Sequence, residues 1–149
     1  MIDIPQILRT KTLDEIIKIS ETVTDKNTKY LLLGSAFLKY KRYQYAYEFL
    51  KHVKDQYPRL FSYSAFYLGK YKEVIDNLKP NTDVFDLIVL TISYINVDDM
   101  NNAKEMLNRA LKLDRKRTLE LLKEYVANSP QTEYSRALLI FIDKLMKRI

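Results

Sequence analysis

The chain reads as all-α: a solenoid of about eight or nine helices paired into antiparallel hairpins. Three observations predict it. Small residues recur where paired helices would cross, at Gly34, Ala46, Val74, Ala103 and Ala110. Large apolar residues one turn away, Leu33, Phe37 and Leu50, would fill the volume around such a crossing. Only two glycines occur in 149 residues, too few for the tight turns of a sheet-rich fold or for a Gly-rich phosphate loop.

The elements follow in order. A leading helix covers about residues 11–23; its apolar positions Leu13, Ile16, Ile17 and Ile19 have helical spacing. Thr12 is its N-cap, and Glu15 completes a capping box. Asp25, Lys26 and Asn27 make the turn after it. A first repeat spans about residues 27–60, with helices at 28–40 and 43–55, and Pro58 stops the second. A shorter second repeat spans about 61–80, with helices near 59–68 and 71–78. Its Val74 stands 28 residues after Ala46. The stretch Lys79 to Asp83 is a firm break, and Thr82 or Asp83 caps the next helix. A third repeat spans 83–114. Ile95 ends its first helix, Asn96 to Met100 is the turn, and Ala103 lies 29 residues after Val74. Val84 to Ile95 is β-branched enough to suit a buried strand, but its length and helical neighbours favour helix. A C-terminal hairpin fills 116–148, broken at Asn128 to Pro130, with Ala137, Leu138, Ile140, Phe141, Ile142, Leu145 and Met146 giving its last helix a broad apolar face. The length suits one domain over residues 1–149.

Composition excludes several classes of function. With no cysteine there is no disulfide framework and no thiolate chemistry, which suggests an intracellular home, cytoplasmic or nuclear. The longest apolar run, Ala137 to Ile142, is too short for a bilayer, and the first residues lack the pattern of a signal peptide, so no membrane partner is expected. The single histidine, His52, has no second ligand at metal spacing and reads as a surface residue. Asp98 and Asp99 lie in a hairpin turn without the spaced oxygens of a calcium loop. No Ser/His/Asp, Cys/His or phosphate-loop arrangement is present, so the expectation is a non-enzymatic chain with no cofactor, metal or catalytic residue.

The net charge of +6 is uneven: residues 104–149 hold eleven basic and six acidic side chains. That third could attract nucleic acid, with Arg109, Lys112, Arg115, Lys116, Arg117 and Lys123 on phosphates, or it is a solvated helical face. Aromatic residues concentrate elsewhere, nine of twelve tyrosines and four of six phenylalanines lying between Tyr30 and Tyr71. Tyr43, Tyr45 and Tyr47 fall within one helical turn and cannot all point inward, so Tyr45 should face outward, together with Tyr40.

Tyr30, Leu33, Gly34, Phe37, Ala46, Leu50 and Pro58 fall at the offsets of a tetratricopeptide (TPR) repeat of about 34 residues, and residues 27–114 resemble that superfamily. The resemblance implies a protein-interaction scaffold whose first helices line a partner groove. Leu31, Leu38, Tyr63, Phe66, Phe85, Ile88, Ile92 and Ile95 take those positions here. TPR adaptors that grip a C-terminal carboxylate hold Lys, Asn and Arg at such positions; Leu31 and Ser35 do not fit that use. An apolar groove is unfavourable in water and calls for this chain's own terminal helix or for an amphipathic partner helix, most economically from a second copy. A narrower resemblance joins Tyr30 to Gly34, Tyr45 to Lys51, Ser64 to Tyr71 and Ala103 to Asp114 to the N-terminal domain of TPR subunits of the anaphase-promoting complex. It implies a homodimerisation module in a ubiquitin-ligase scaffold of the cell cycle, with other TPR or scaffold subunits as partners. Arg115 follows Asp114 where that pattern has proline.

Overall fold

The structure, a computed structural model, describes residues 2–128 together with Arg136 and Ile140. Over residues 2–128 it holds nine α-helices and one 3₁₀ turn, with no strand. Two compact units follow one another along the chain, Met1–Lys79 and Pro80–Ile149, where the sequence suggests one domain. The break has a local cause. Leu78 is already extended, and Pro80, lacking an N–H, cannot resume the helix. The last helix of the expected C-terminal hairpin lies outside the described residues; Arg136 and Ile140 are helical and exposed.

The first unit opens with α1 (Ile4–Thr10), which the sequence analysis does not include. Asp3 accepts from the Gln6 N–H, and a proline stands in the first helical positions, where its missing N–H costs nothing. Thr12 and Glu15 form the reciprocal capping box of α2 (Leu13–Glu21). Ile16 of α2 packs against Leu32 and Ala36 of α3 (Lys26–Lys39), with Ile4, Ile7 and Leu8 of α1 around them. Next come α4 (Tyr43–Leu50) and a 3₁₀ turn, Lys51–Val53; the expected helix to residue 55 therefore ends early and tightens. Pro58 does not end that helix but starts α5 (Pro58–Tyr67) at its first position. The unit closes with α6 (Tyr71–Asn77). Its second core joins Ala46, Leu50, Val53 and Phe61, edged by Tyr30, Phe37, Leu38, Tyr47 and Leu60.

The second unit contains α7 (Val84–Asn96), α8 (Met100–Leu113) and α9 (Arg115–Ala127), each in contact with the other two. All eight residues from Asp86 to Ser93 are buried, so α7 is covered on every side. Buried Asp86 accepts from the Asn81 side chain at 2.9 Å, and its own N–H donates to the capping Asp83 carboxylate. α8 buries Ala103, Met106 and Ala110 on one stripe. Asp114 ends α8 and caps α9 by accepting from the Arg117 N–H, which replaces the stop that proline would supply.

One turn recurs three times. Lys41, Gly69 and Asp98 have positive φ, 60°, 75° and 60°. Each is followed by an N–H donated back five residues: Arg42 to Phe37, Lys70 to Ala65 and Asp99 to Tyr94, at 2.8, 2.8 and 2.9 Å. Lys41, Gly69 and Asp98 themselves donate to Leu38, Phe66 and Ile95. This is the Schellman termination, repeated after α3, α5 and α7. Counted from the turn residue, the same offsets hold small buried side chains. Seven before it stand Gly34, Ser62 and Thr91, and five before it Ala36, Ser64 and Ser93. Five after it stand Ala46, Val74 and Ala103. Ser64, Thr91 and Ser93 satisfy their hydroxyls on backbone carbonyls of their own helix. At Gly34 the spacing is tightest: a Cβ there would lie 2.5 Å from Leu50 Cγ and 2.6 Å from its Cδ2.

Two stability measurements check this geometry. Gly34→Ala gains up to about 1 kcal/mol of helix propensity but overpacks Leu50, and the net expectation is a loss of about 1–2 kcal/mol in denaturant unfolding. Combined with Leu50→Ala, the loss should fall short of the sum of the two by at least about 1 kcal/mol, because the clash is gone. Lys41→Gly should stabilise by about 0.5–1 kcal/mol, since only glycine takes the left-handed turn position without steric cost.

Candidate interaction surface

The dense aromatic segment resolves into an ordered ladder across α3 and α4. Five rings alternate between the two helices and their 3₁₀ extension: Tyr45, Phe37, Phe49, Tyr30 and His52. Successive centroids lie 5.2, 5.7, 6.4 and 4.4 Å apart, with interplanar angles of 32°, 3°, 35° and 17°. The hairpin turn sets this register. It puts the i, i+7 pair Tyr30 and Phe37 opposite Tyr45, Phe49 and His52, which share one stripe of the second rod. Tyr45 is 61% exposed and Tyr40 38%, so both expected outward tyrosines reach solvent. Tyr40 also donates toward the Lys11 carbonyl at 3.4 Å. The lone histidine is exposed and stacks flat on Tyr30.

The expected groove positions divide between the units. In the first, Leu31, Leu38 and Tyr63 are half-buried and Phe66 is buried. Leu38 packs against the Ala46–Phe61 core. Tyr63 takes a 2.6 Å hydrogen bond from Arg59 Nε, and the guanidinium lies 5.7 Å from the ring centroid. In the second, Phe85 and Ile95 are half-buried, while Ile88 and Ile92 are only 3% and 2% exposed. Phe66, Ile88 and Ile92 are therefore core residues, a correction to the expected groove. Helical periodicity marks the apolar face they share but not what packs over it. The repeat-packing set Gly34, Ala46, Val74, Ala103 and Ala110 is buried throughout.

A polar tie links α4 to α6. The Tyr47 hydroxyl donates to the Glu73 carboxylate, 2.8 and 2.9 Å from its two oxygens, and Lys70 lies 5.1 Å from the Tyr47 ring centroid. Burial first, and the hydrogen bond to Glu73 second, push the Tyr47 phenol up to about 12. Tyr43 stacks on Tyr67 at 4.4 Å, and burial pushes its phenol up as well.

The six basic residues considered for nucleic acid, Arg109, Lys112, Arg115, Lys116, Arg117 and Lys123, are exposed on α8 and α9. Arg109 pairs with Glu105 at 2.8 Å and Arg117 with Glu120 at 4.0 Å, pairs within one helix that interleave the charge. Asp98 and Asp99 have structural roles, the first as the left-handed turn residue and the second as the cap of α8, accepting from the Asn102 N–H. Among the described residues no group of three His, Cys, Asp or Glu side chains is placed to hold a metal ion, and no helix is long and apolar enough to cross a membrane.

Comparison with known protein families, with curated proteins and with solved structures finds no match to this chain.

The Tyr47 tie gives a pH prediction. Between pH 10 and about 12 the unfolded phenol ionises before the folded one, so the tie stabilises fully below pH 10 and is lost as pH rises through that window. Denaturant melts should show Tyr47→Phe less stable than the parent near neutrality. Its stability should decline less steeply from pH 10 to 12. Parallel pH profiles for the two proteins would contradict the assignment.

Proposed function

We propose that the chain is a non-catalytic protein-interaction scaffold of the TPR type, assembling with a second copy through the first-helix face of its first hairpin. The supporting observation is the thrice-used turn register, which sets small residues at the same helix positions in each hairpin. A hairpin geometry repeated along the chain is the usual basis of protein binding in helical repeats. Leu31 and Leu38 carry the contact: they lie seven residues apart on one face of α3 and are half-buried, so apolar area remains for a partner. The narrower reading, the homodimerising N-terminal domain of an anaphase-promoting-complex subunit, is supported by the sequence motifs alone.

Light scattering after size exclusion tests the assembly. At high micromolar concentration the parent should run at twice the 17.7 kDa chain mass. Leu31→Glu should return it to a single mass while keeping its helical circular dichroism. A parent that stays monomeric, or a Leu31→Glu variant that stays dimeric, would refute the proposed contact.

A further inference from the structure

The residues of the ladder hairpin carry the chain's entire net charge. Residues 26–54 hold seven Lys and Arg against one acid, Glu48; the rest of the chain holds eighteen of each sign. Lys26 stands one helical turn before Tyr30, and Arg42 nearly one turn before Tyr45, so cations lead into both sides of the ladder. Lys26, Lys41 and Arg42 are exposed, and among the described residues they make no ion pair. Lys51 is paired with Glu48 at 2.6 Å, and the Lys39 amine is held by the Leu8 carbonyl.

We propose that this basic aromatic surface, centred on Tyr45, Phe37 and Phe49 and edged by Lys26 and Arg42, docks an acidic peptide segment bearing aliphatic or aromatic side chains. The exposed cations Lys26, Lys41 and Arg42 favour an anionic partner, and the ladder bears on its kind. Nucleobases bind protein rings face to face. Here Phe37 and Phe49 stack on each other at 5.7 Å and Tyr30 stacks on His52 at 4.4 Å, so one face of each of these rings is already taken. These rings are half-buried, and an aromatic edge is the positive part of the ring quadrupole. Carboxylates can meet those edges and the flanking Lys and Arg together, while interleaved apolar side chains cover the ring carbons. The class of partner rests on the scaffold reading; the location does not, since Tyr30 and Leu31 point about 100° apart on α3.

Fluorescence anisotropy with three labelled probes tests the proposal: a short peptide alternating Glu with Leu and Phe, the same peptide with Gln for Glu, and single-stranded oligo-dT. The acidic peptide should bind at least about tenfold tighter than the neutral one. Lys26→Glu with Arg42→Glu should weaken it by about tenfold or more, and Tyr45→Ala should weaken it measurably. Tyr45 is largely exposed, so that variant leaves the core intact. Lys116→Glu, and Leu31→Glu, should leave peptide binding unchanged even where the latter abolishes the dimer. Three results would overturn the proposal: equal binding of acidic and neutral peptides, indifference to the Lys26, Arg42 and Tyr45 changes, or oligo-dT bound more tightly than the peptide and lost in the same variants. The last would assign the surface to nucleic acid. A monomeric parent that still binds the acidic peptide through Tyr45 would remove the dimer and leave this inference standing.

Discussion

The constraint from which the rest of the first unit follows is the contact between Gly34 and Leu50. The two helices of its first hairpin approach so closely that a single methyl group on residue 34 would fall inside the van der Waals radius of the Leu50 side chain. Close approach lets Leu50 reach a fully buried position beside Ala46, Val53 and Phe61. It also brings the rings of the two helices within stacking distance. Core and aromatic ladder thus adjoin at one crossing, with Tyr30 and Phe37 belonging to both. A bulkier residue at 34 would strain both.

The crossing needs a turn that delivers the second helix at a fixed rotation and translation. The left-handed residue after α3 does so by capping two otherwise unpaired carbonyls, and the same device closes α5 and α7. The identity of that residue varies, from lysine to glycine to aspartate, whereas the residues at the surrounding offsets stay small, none larger than threonine or valine. The shared requirement is therefore steric. Where the hairpins use hydroxyl residues instead of glycine or alanine, most bond their own helix backbone. The exception is Ser62, whose buried oxygen has no hydrogen-bond partner among the described residues. A buried, unsatisfied hydroxyl is a cost the first hairpin avoids by having glycine at that place.

Much of this could be read from residue order alone. The helices from α2 to α9 announce themselves by apolar spacing, and the Thr12–Glu15 box by its two residue types three apart. The short α1 was less legible: its seven residues carry too little periodicity, although Asp3 followed closely by Pro5 was a readable start signal. The shortening of α4 into a 3₁₀ turn left no mark in composition, and Pro58 is compatible with ending one helix or beginning the next. The candidate surface was legible only in part. Tyr40 and Tyr45 followed from the 100° step of a helix, but the burial of Ile88 and Ile92 depends on neighbours far along the chain. The ladder was hidden for a related reason, because its order exists only once two helices interdigitate. The concentration of positive charge on the same hairpin was visible in the sequence, as seven Lys and Arg against one acid over residues 26–54.

Nuclear Overhauser contacts between the Gly34 α-protons and the Leu50 methyl groups test the central crossing most directly. The account predicts strong cross-peaks, since atoms built at the Gly34 Cβ position lie under 3 Å from the Leu50 side chain. Absence of those peaks in an assigned spectrum, with Leu50 methyls instead contacting residues distant from Gly34, would contradict it.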